Sequence, residues 1–217
     1  MKQLRFIDLF AGLGGFHQAL SQLGHKCVFA SELDSELAEI YQKNFGLRPH
    51  GDIREAIREV PSHDVLCAGF PCQPFSKAGE QLGFDCPQWG DLFDFVLEII
   101  DRHKPRFLLI ENVPNILRHN GGRTWERIKQ RLEGHGYAVD KKLVSPYMFG
   151  VPQVRERAII VGAREGLEHF RWPEATHSLD DISIKNVLDS NPQDARKLGP
   201  RFLQYLETWQ QLLDAFP

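Results

Sequence analysis

The run Phe107-Leu108-Leu109-Ile110 constrains this chain more than any other stretch. It offers no polar position to either face of a strand, so as a strand it must be covered on both sides. Helices have to do the covering, and the chain supplies them in alternation with strands. Phe6 to Phe10, Cys27 to Ala30, Asp64 to Ala68, Val139 to Val144 and Ala158 to Gly162 read as further strands, and a segment ending at Asp52 reads as one more. Phe16, Ala19, Leu20 and Leu23 recur at helical spacing up to Gly24. Leu37, Ala38, Tyr41 and Phe45 follow a cap at Asp34 or Ser35, and two more helices carry Leu92, Phe93, Val96 and Ile100, then Trp125, Ile128 and Leu132. The pattern predicts an α/β domain over residues 1–165, doubly wound around a mostly parallel sheet. Residues 166–217 change character. A polar stretch reads as a surface linker, and Phe202, Leu206, Trp209, Leu213 and Phe216 then recur at the spacing of a terminal helix.

In a doubly wound fold ligands gather at the carboxyl ends of the strands, and the chemically capable residues fall there. Pro71-Cys72-Gln73-Pro74 follows the strand Val65-Leu66-Cys67, so Cys72 stands on a loop whose backbone the flanking prolines restrict. Gly12-Leu13-Gly14-Gly15 opens the first helix and suits a carboxylate as well as a phosphate. Its spacing is not G-x-G-x-x-G, which counts against a nicotinamide-dependent oxidoreductase. Glu32 ends the second strand, where an acid commonly takes ribose hydroxyls, and Asp52 is placed to accept from an adenine amino group. Together they outline a pocket for an adenosine bearing an amino acid. Glu111 ends the buried strand, where a dry cleft raises a carboxyl pKa and suits it to donate a proton. Arg155 and Arg157 alternate at the start of the last strand and so share a face. Taken singly, each has a plainer alternative: a buried thiol in a turn, helix-capping acids, surface arginines. Their order around one strand-helix frame favours a site.

Net charge is −3, which argues against strong duplex binding by this chain alone. Cysteines at 27, 67, 72 and 86 have no metal-ligand spacing, so neither a metal nor a disulfide framework is expected. The N-terminus runs straight into a strand, without a signal peptide, and no stretch is long enough to span a membrane. The reading is a cytoplasmic, reducing location that keeps Cys72 a free thiol.

Four segments carry a closer message: Asp8-Leu9-Phe10-Ala11-Gly12-Leu13-Gly14-Gly15-Phe16, Gly69-Phe70-Pro71-Cys72-Gln73, Glu111-Asn112-Val113 and Gln153-Val154-Arg155-Glu156-Arg157. In this order, over roughly residues 4–163, the chain resembles the DNA (cytosine-5)-methyltransferases. The resemblance implies the Rossmann-like fold of S-adenosylmethionine-dependent methyltransferases, with S-adenosylhomocysteine as product. It implies a cofactor pocket of Phe10, Gly12, Gly14, Gly15, Phe16, Glu32, Leu33, Asp52, Ile53, Pro71 and Leu92, with Phe16 and Leu33 flanking the adenine. Leu33 departs from the Trp frequent there. Cys72 would add to carbon-6 of a flipped cytosine, Glu111 would act at ring nitrogen-3, and Arg157, supported by Arg155, would hold the base. Gln73, Ser76 and Lys77 would begin a lid over the DNA running to about Trp89, which precedes Gly90 where family members often have Arg.

Members of that family continue into a target-recognition region and a closing Gly-Asn-Ser-Val-like segment, and neither is recognisable here. The resemblance therefore implies a truncated chain, a catalytic subunit that needs a second polypeptide, or an inactive protein of a restriction-modification setting. Two alternatives stay open. One is a transfer-RNA cytosine-5 methyltransferase, although that branch's Cys-Phe-Thr motif is not found. The other is a regulatory partner that binds cofactor only.

Overall fold

The computed structural model describes residues 2–71 and 92–216. They form two compact units, Met1–Ile182 and Ser183–Pro217. The first unit is built on strands β1 (Arg5–Leu9), β2 (Lys26–Ser31), β3 (Val65–Ala68), β4 (Phe107–Asn112), β5 (Ala138–Val144) and β6 (Arg157–Ala163), with helices α1 (Gly15–Gln22), α2 (Ser35–Phe45), α3 (Ile53–Ala56), α4 (Leu92–His103) and α5 (Arg123–Gly134). The strands lie in the order β2-β1-β3-β4-β6-β5. β2, β1, β3 and β4 pair in parallel, and β6 runs antiparallel to both β4 and β5. The predicted mostly parallel, doubly wound sheet is therefore what forms. Its order reverses at β1, where successive connections leave in opposite directions and open a crevice at the strand ends.

Alternate residues of the central strands feed different cores. Ile7, Leu9, Leu66, Leu108 and Ile110 pack with Phe93, Val96 and Ile100 of α4 and Trp125, Ile128 and Leu132 of α5. Phe6, Val65 and Cys67 face the other way, against Phe16 and Leu20 of α1. Phe107 and Leu109 join that second layer but are only half-buried. The run that reads as covered on both faces is thus fully covered on one and partly on the other.

Three local expectations change. The segment before Asp52 forms a single bridge, Ser31 to His50, and no strand. Pro49 precedes it and has no N–H to extend a ladder. β1 stops at Leu9 because Phe10 turns to φ 57°. Helix α1 is rotated from the phase its apolar residues suggest. Leu23 is exposed, and His17 is buried in its place. The imidazole is satisfied there: Nδ1 lies 2.7 Å from the Tyr41 hydroxyl, and the ring stacks on Phe45 with centroids 4.1 Å apart. A polar ring with a partner and a stacking face outcompetes a leucine that has neither.

Gly14 is what lets α1 begin so close to α2. It has φ 84°, and a Cβ there would stand 2.2 Å from the ring of Phe45. Residues 166–182 belong to the first unit: Trp172 Nε1 donates to Asp140 at 2.8 Å, and Lys142 Nζ to the Pro173 carbonyl at 3.0 Å. The second unit carries α6 (Pro200–Asp214), the terminal helix that the spacing predicts. Among the described residues, no helix is long and apolar enough to cross a membrane.

Two outcomes follow from the packing. Gly14→Ala meets both left-handed strain and the Phe45 ring, and should cost about 3 kcal/mol in urea unfolding. Gly15→Ala, with nothing within 4 Å of a new Cβ, should stay within about 0.5 kcal/mol. The second outcome concerns pH. His63 is buried before β3, donates from Nδ1 to the Pro61 carbonyl at 2.8 Å, and is held down to about 4, chiefly by burial. Its folded pKa lies below the ordinary 6.5, so its stabilisation is complete above that value and is lost as pH falls through about 4. Wild type should lose about 3 kcal/mol relative to His63→Gln between pH 7.5 and pH 4.

Candidate active site

A cleft of about 610 Å³ opens at the carboxyl ends of β1, β2, β3 and β4, a size suited to a nucleoside-bearing ligand. Its first wall begins with the turn after β1. Phe10, Gly12 and Gly14 all hold positive φ, at 57°, 54° and 84°. That path turns the backbone sharply enough to aim the Gly12 N–H at Glu32 Oε2, 2.7 Å away. The other carboxylate oxygen of Glu32 accepts from the Asp34 N–H at 2.9 Å. Glu32 thus ties the turn to the end of β2, and each of its oxygens keeps a further acceptor direction. Phe10, Glu32, Leu33, Asp34, Asp52, Ile53 and Arg54 line this end of the cleft.

Beneath the turn lies Asp8, 1% exposed, whose Oδ2 accepts from the Tyr41 hydroxyl at 3.4 Å. Burial pushes its carboxyl up to about 7, against the pull of the Tyr41 hydroxyl and the His17 backbone. Asp52 caps α3 and accepts from the Arg54 N–H at 2.9 Å, while the Arg54 side chain reaches back to both of its oxygens. Those bonds hold the Asp52 carboxyl below its ordinary value.

At the opposite end stand Glu111, Arg155 and Arg157. Glu111 is at the end of β4, and Arg157 begins the antiparallel β6. Arg157 Nε donates to Glu111 Oε1 at 2.7 Å. Burial raises the Glu111 carboxyl, and the charges of Arg157 and Arg155 restrain the rise. Arg155 precedes the strand, on a loop pinned by the hydrogen bond from its own N–H to the buried Ser145 Oγ, 2.9 Å. Between the two ends run Gly69, Phe70 and Pro71, with Leu92 on the wall. Asn112, fully buried, donates from Nδ2 to the Phe70 carbonyl at 3.1 Å and accepts from the Val113 N–H at 2.9 Å. It fastens the loop after β3 to the end of β4.

The structure therefore brings together Phe10, Glu32, Leu33, Asp52, Ile53, Pro71, Leu92, Glu111, Arg155 and Arg157 around one cleft. Gly12, Gly14 and Gly15 shape the turn behind it. Phe16 lies elsewhere: it packs against Phe6, Val65 and Cys67 under the sheet and does not line the cleft. Cys72, Gln73, Ser76 and Lys77 lie outside the described residues; Cys72 follows Pro71 directly in the chain. Arg54, Asn112 and Ser145 also shape the site, and the sequence patterns do not single them out. A basic residue two positions from Asp52 and a buried amide inside Glu111-Asn112-Val113 are the signals that could have found the first two. Ser145 has none, because its partner is ten residues away.

The family model described as C-5 cytosine-specific DNA methylase matches residues 4–213. Among curated proteins, the chain is 41% identical over 188 residues to the type II methyltransferase M.MspI of Moraxella sp, covering 86% of this chain and 44% of that protein. It is 42% identical over 174 residues to M.HhaI of Haemophilus parahaemolyticus, covering 79% of this chain and 53% of that one. The chain thus spans about half the length of these relatives. Among solved structures, the methyltransferase EhMeth of Entamoeba histolytica superposes with a TM-score of 0.70 at 20% identity, covering 94% of this chain and 65% of that one, a likeness of fold.

The balance at Glu111 is open to measurement. Arg157→Ala removes the larger restraining charge, so the Glu111 carboxyl should titrate higher than in wild type when followed by carboxyl-carbon NMR. Arg155→Ala should move it the same way by less. A downward or absent shift in Arg157→Ala would show that burial alone sets the value.

Proposed function

The chain belongs to the C-5 cytosine-specific DNA methylase family, and on that premise we propose that it transfers a methyl group from S-adenosylmethionine to carbon-5 of cytosine in DNA. The observation that carries this reading is one cleft with two chemically distinct ends. Glu32 and Asp52 stand at the first, the Glu111–Arg157 pair stands at the second, and Pro71 lines the cleft with them.

The residues present fit the cofactor. A Cβ built at Gly12 would meet nothing within 4 Å, so a ligand can approach the backbone of the turn closely. Glu32 would take the ribose hydroxyls with its remaining acceptor directions. Asp52 would accept from the purine amino group, and Phe10, Leu33 and Ile53 would supply apolar contact. S-adenosylmethionine, when bound, supplies an electrophilic methyl group.

Cytosine carbon-5 is a poor nucleophile. Addition of the Cys72 thiolate to carbon-6 forms a carbon-sulfur bond and makes the ring enamine-like, which divides one hard step into easier ones. Charge then builds at ring nitrogen-3. Glu111, whose carboxyl burial raises above its ordinary value, would give or share a proton there. Arg157 would orient that carboxyl and reach the base edge, with Arg155 adding positive charge beside it. Once carbon-5 is methylated, loss of its proton restores the double bond and releases the Cys72 sulfur. The target carbon is buried within a duplex, so the base has to swing out into the cleft.

DNA substituted with 5-fluorocytosine tests the reading, because fluorine at carbon-5 cannot leave as a proton does. In the presence of S-adenosylmethionine, wild type should become covalently trapped, with peptide mass spectrometry placing the adduct on Cys72. Cys72→Ser should give no adduct while still binding S-adenosylhomocysteine, since a serine oxygen is far less nucleophilic toward an aromatic carbon. An adduct on Cys67 or Cys86 would sink the assignment, and trapping on fluorinated RNA but not DNA would move the substrate to RNA.

A further inference from the structure

Among the described residues, Arg54 is the one basic residue lining the end of the cleft where Glu32, Asp34 and Asp52 also lie. Its hold on Asp52 is unusually complete. The backbone N–H donates to Oδ1 at 2.9 Å, Nε to Oδ1 at 3.0 Å and to Oδ2 at 2.9 Å, and Nη2 to Oδ2 at 2.6 Å. An ionised carboxylate offers about four acceptor directions and no donor. Three N–H groups of one residue therefore occupy about three of them. The two residues are only two apart, at the start of α3, so the ion pair closes a small ring. A planar guanidinium in side-on contact with both oxygens allows the carboxylate one orientation.

We infer that Arg54 is a specificity-determining residue for the cofactor's base: by locking the Asp52 carboxylate with about one acceptor direction left, it suits the cleft to a 6-aminopurine and against a 6-oxopurine. The inference rests on the reading that Asp52 faces the purine. An exocyclic amino group donates into the remaining direction. An oxo group at the same position brings a second acceptor, and two facing acceptors leave both unpaired in a partly dry site. A free carboxylate would escape that clash by rotating toward water. Held by Arg54, it cannot. Asp52 is itself more enclosed than its partner, with side-chain exposures of 19% and 37%, so the clash is not relieved by solvent alone.

The experiment is calorimetric titration of the full chain with S-adenosylhomocysteine and with its 6-oxo counterpart, S-inosylhomocysteine. Wild type, Arg54→Ala and Arg54→Gln are compared, with thermal melts to confirm folding. Wild type should favour the amino compound by about 100-fold. Both variants should bind the amino compound about five-fold more weakly, as the carboxylate is no longer held in place. The preference between the two compounds should fall about ten-fold in each variant, because the oxo compound loses its clash. A merely structural role would weaken both ligands alike and leave the preference intact, which would overturn the inference. Tighter binding of the amino compound by the variants would also overturn it, by showing that Arg54 competes for Asp52. Wild type binding neither compound would refute the cofactor reading itself, an outcome distinct from an unchanged preference.

Discussion

The hydrogen bond from the Gly12 N–H to Glu32, 2.7 Å long, organises the end of the cleft that lies beside β1 and β2. It can form only because the chain leaves β1 through left-handed backbone at Phe10 and Gly12, a conformation that residues other than glycine seldom adopt. Phe10 holds it at a cost, and the surroundings meet that cost with bonds. The Ala11 N–H donates to the Ser31 carbonyl at 2.9 Å, and the Gly14 N–H to the Ala11 carbonyl at 2.8 Å. The turn, the end of β2 and the start of α1 are therefore one unit. Moving any of them would displace Glu32 from the cleft.

The cleft separates its charges by environment. Asp52 sits in a pair that keeps it ionised, whereas Glu111 is raised by burial even with Arg157 at 2.7 Å. The two acids are therefore suited to different work. An ionised carboxylate only accepts hydrogen bonds, and a carboxyl raised above its ordinary value holds a proton more readily. Asp8 shows the limit of burial without a counter-charge: it is enclosed under the turn and pushed up to about 7. Its neighbours Tyr41 and His17 supply hydrogen bonding in place of a cation.

The fold was legible because its signal is local. Period-2 and period-3.6 patterning and the glycine and proline stops mark each element within a window of about ten residues. Misreadings arose where a distant partner decided. His17, not Leu23, turns inward on α1 because Tyr41 and Phe45 of α2 receive it. The stretch before Asp52 does not become a strand because Pro49 denies it a ladder. Phe16 follows the glycine turn directly and is partly buried against the cluster of Phe6, Val65 and Cys67.

By itself the sequence determined the alternation of strands and helices, and with it which residues stand at strand ends: Glu32, Pro71, Glu111 and Arg157. It determined their residue types, and so the chemistry open to them. The tertiary structure decided how those groups are used. The pairing of Glu111 with Arg157 spans two antiparallel strands far apart in the chain, and the anchoring of the loop after β3 by Asn112 depends on how that loop meets β4. Even the pairing of Asp52 with Arg54, two residues apart, depends on Asp52 standing at the cap of α3. Hydrogen-bond partners and loss of water depend on what packs nearby in space, and periodicity along the chain carries no record of that.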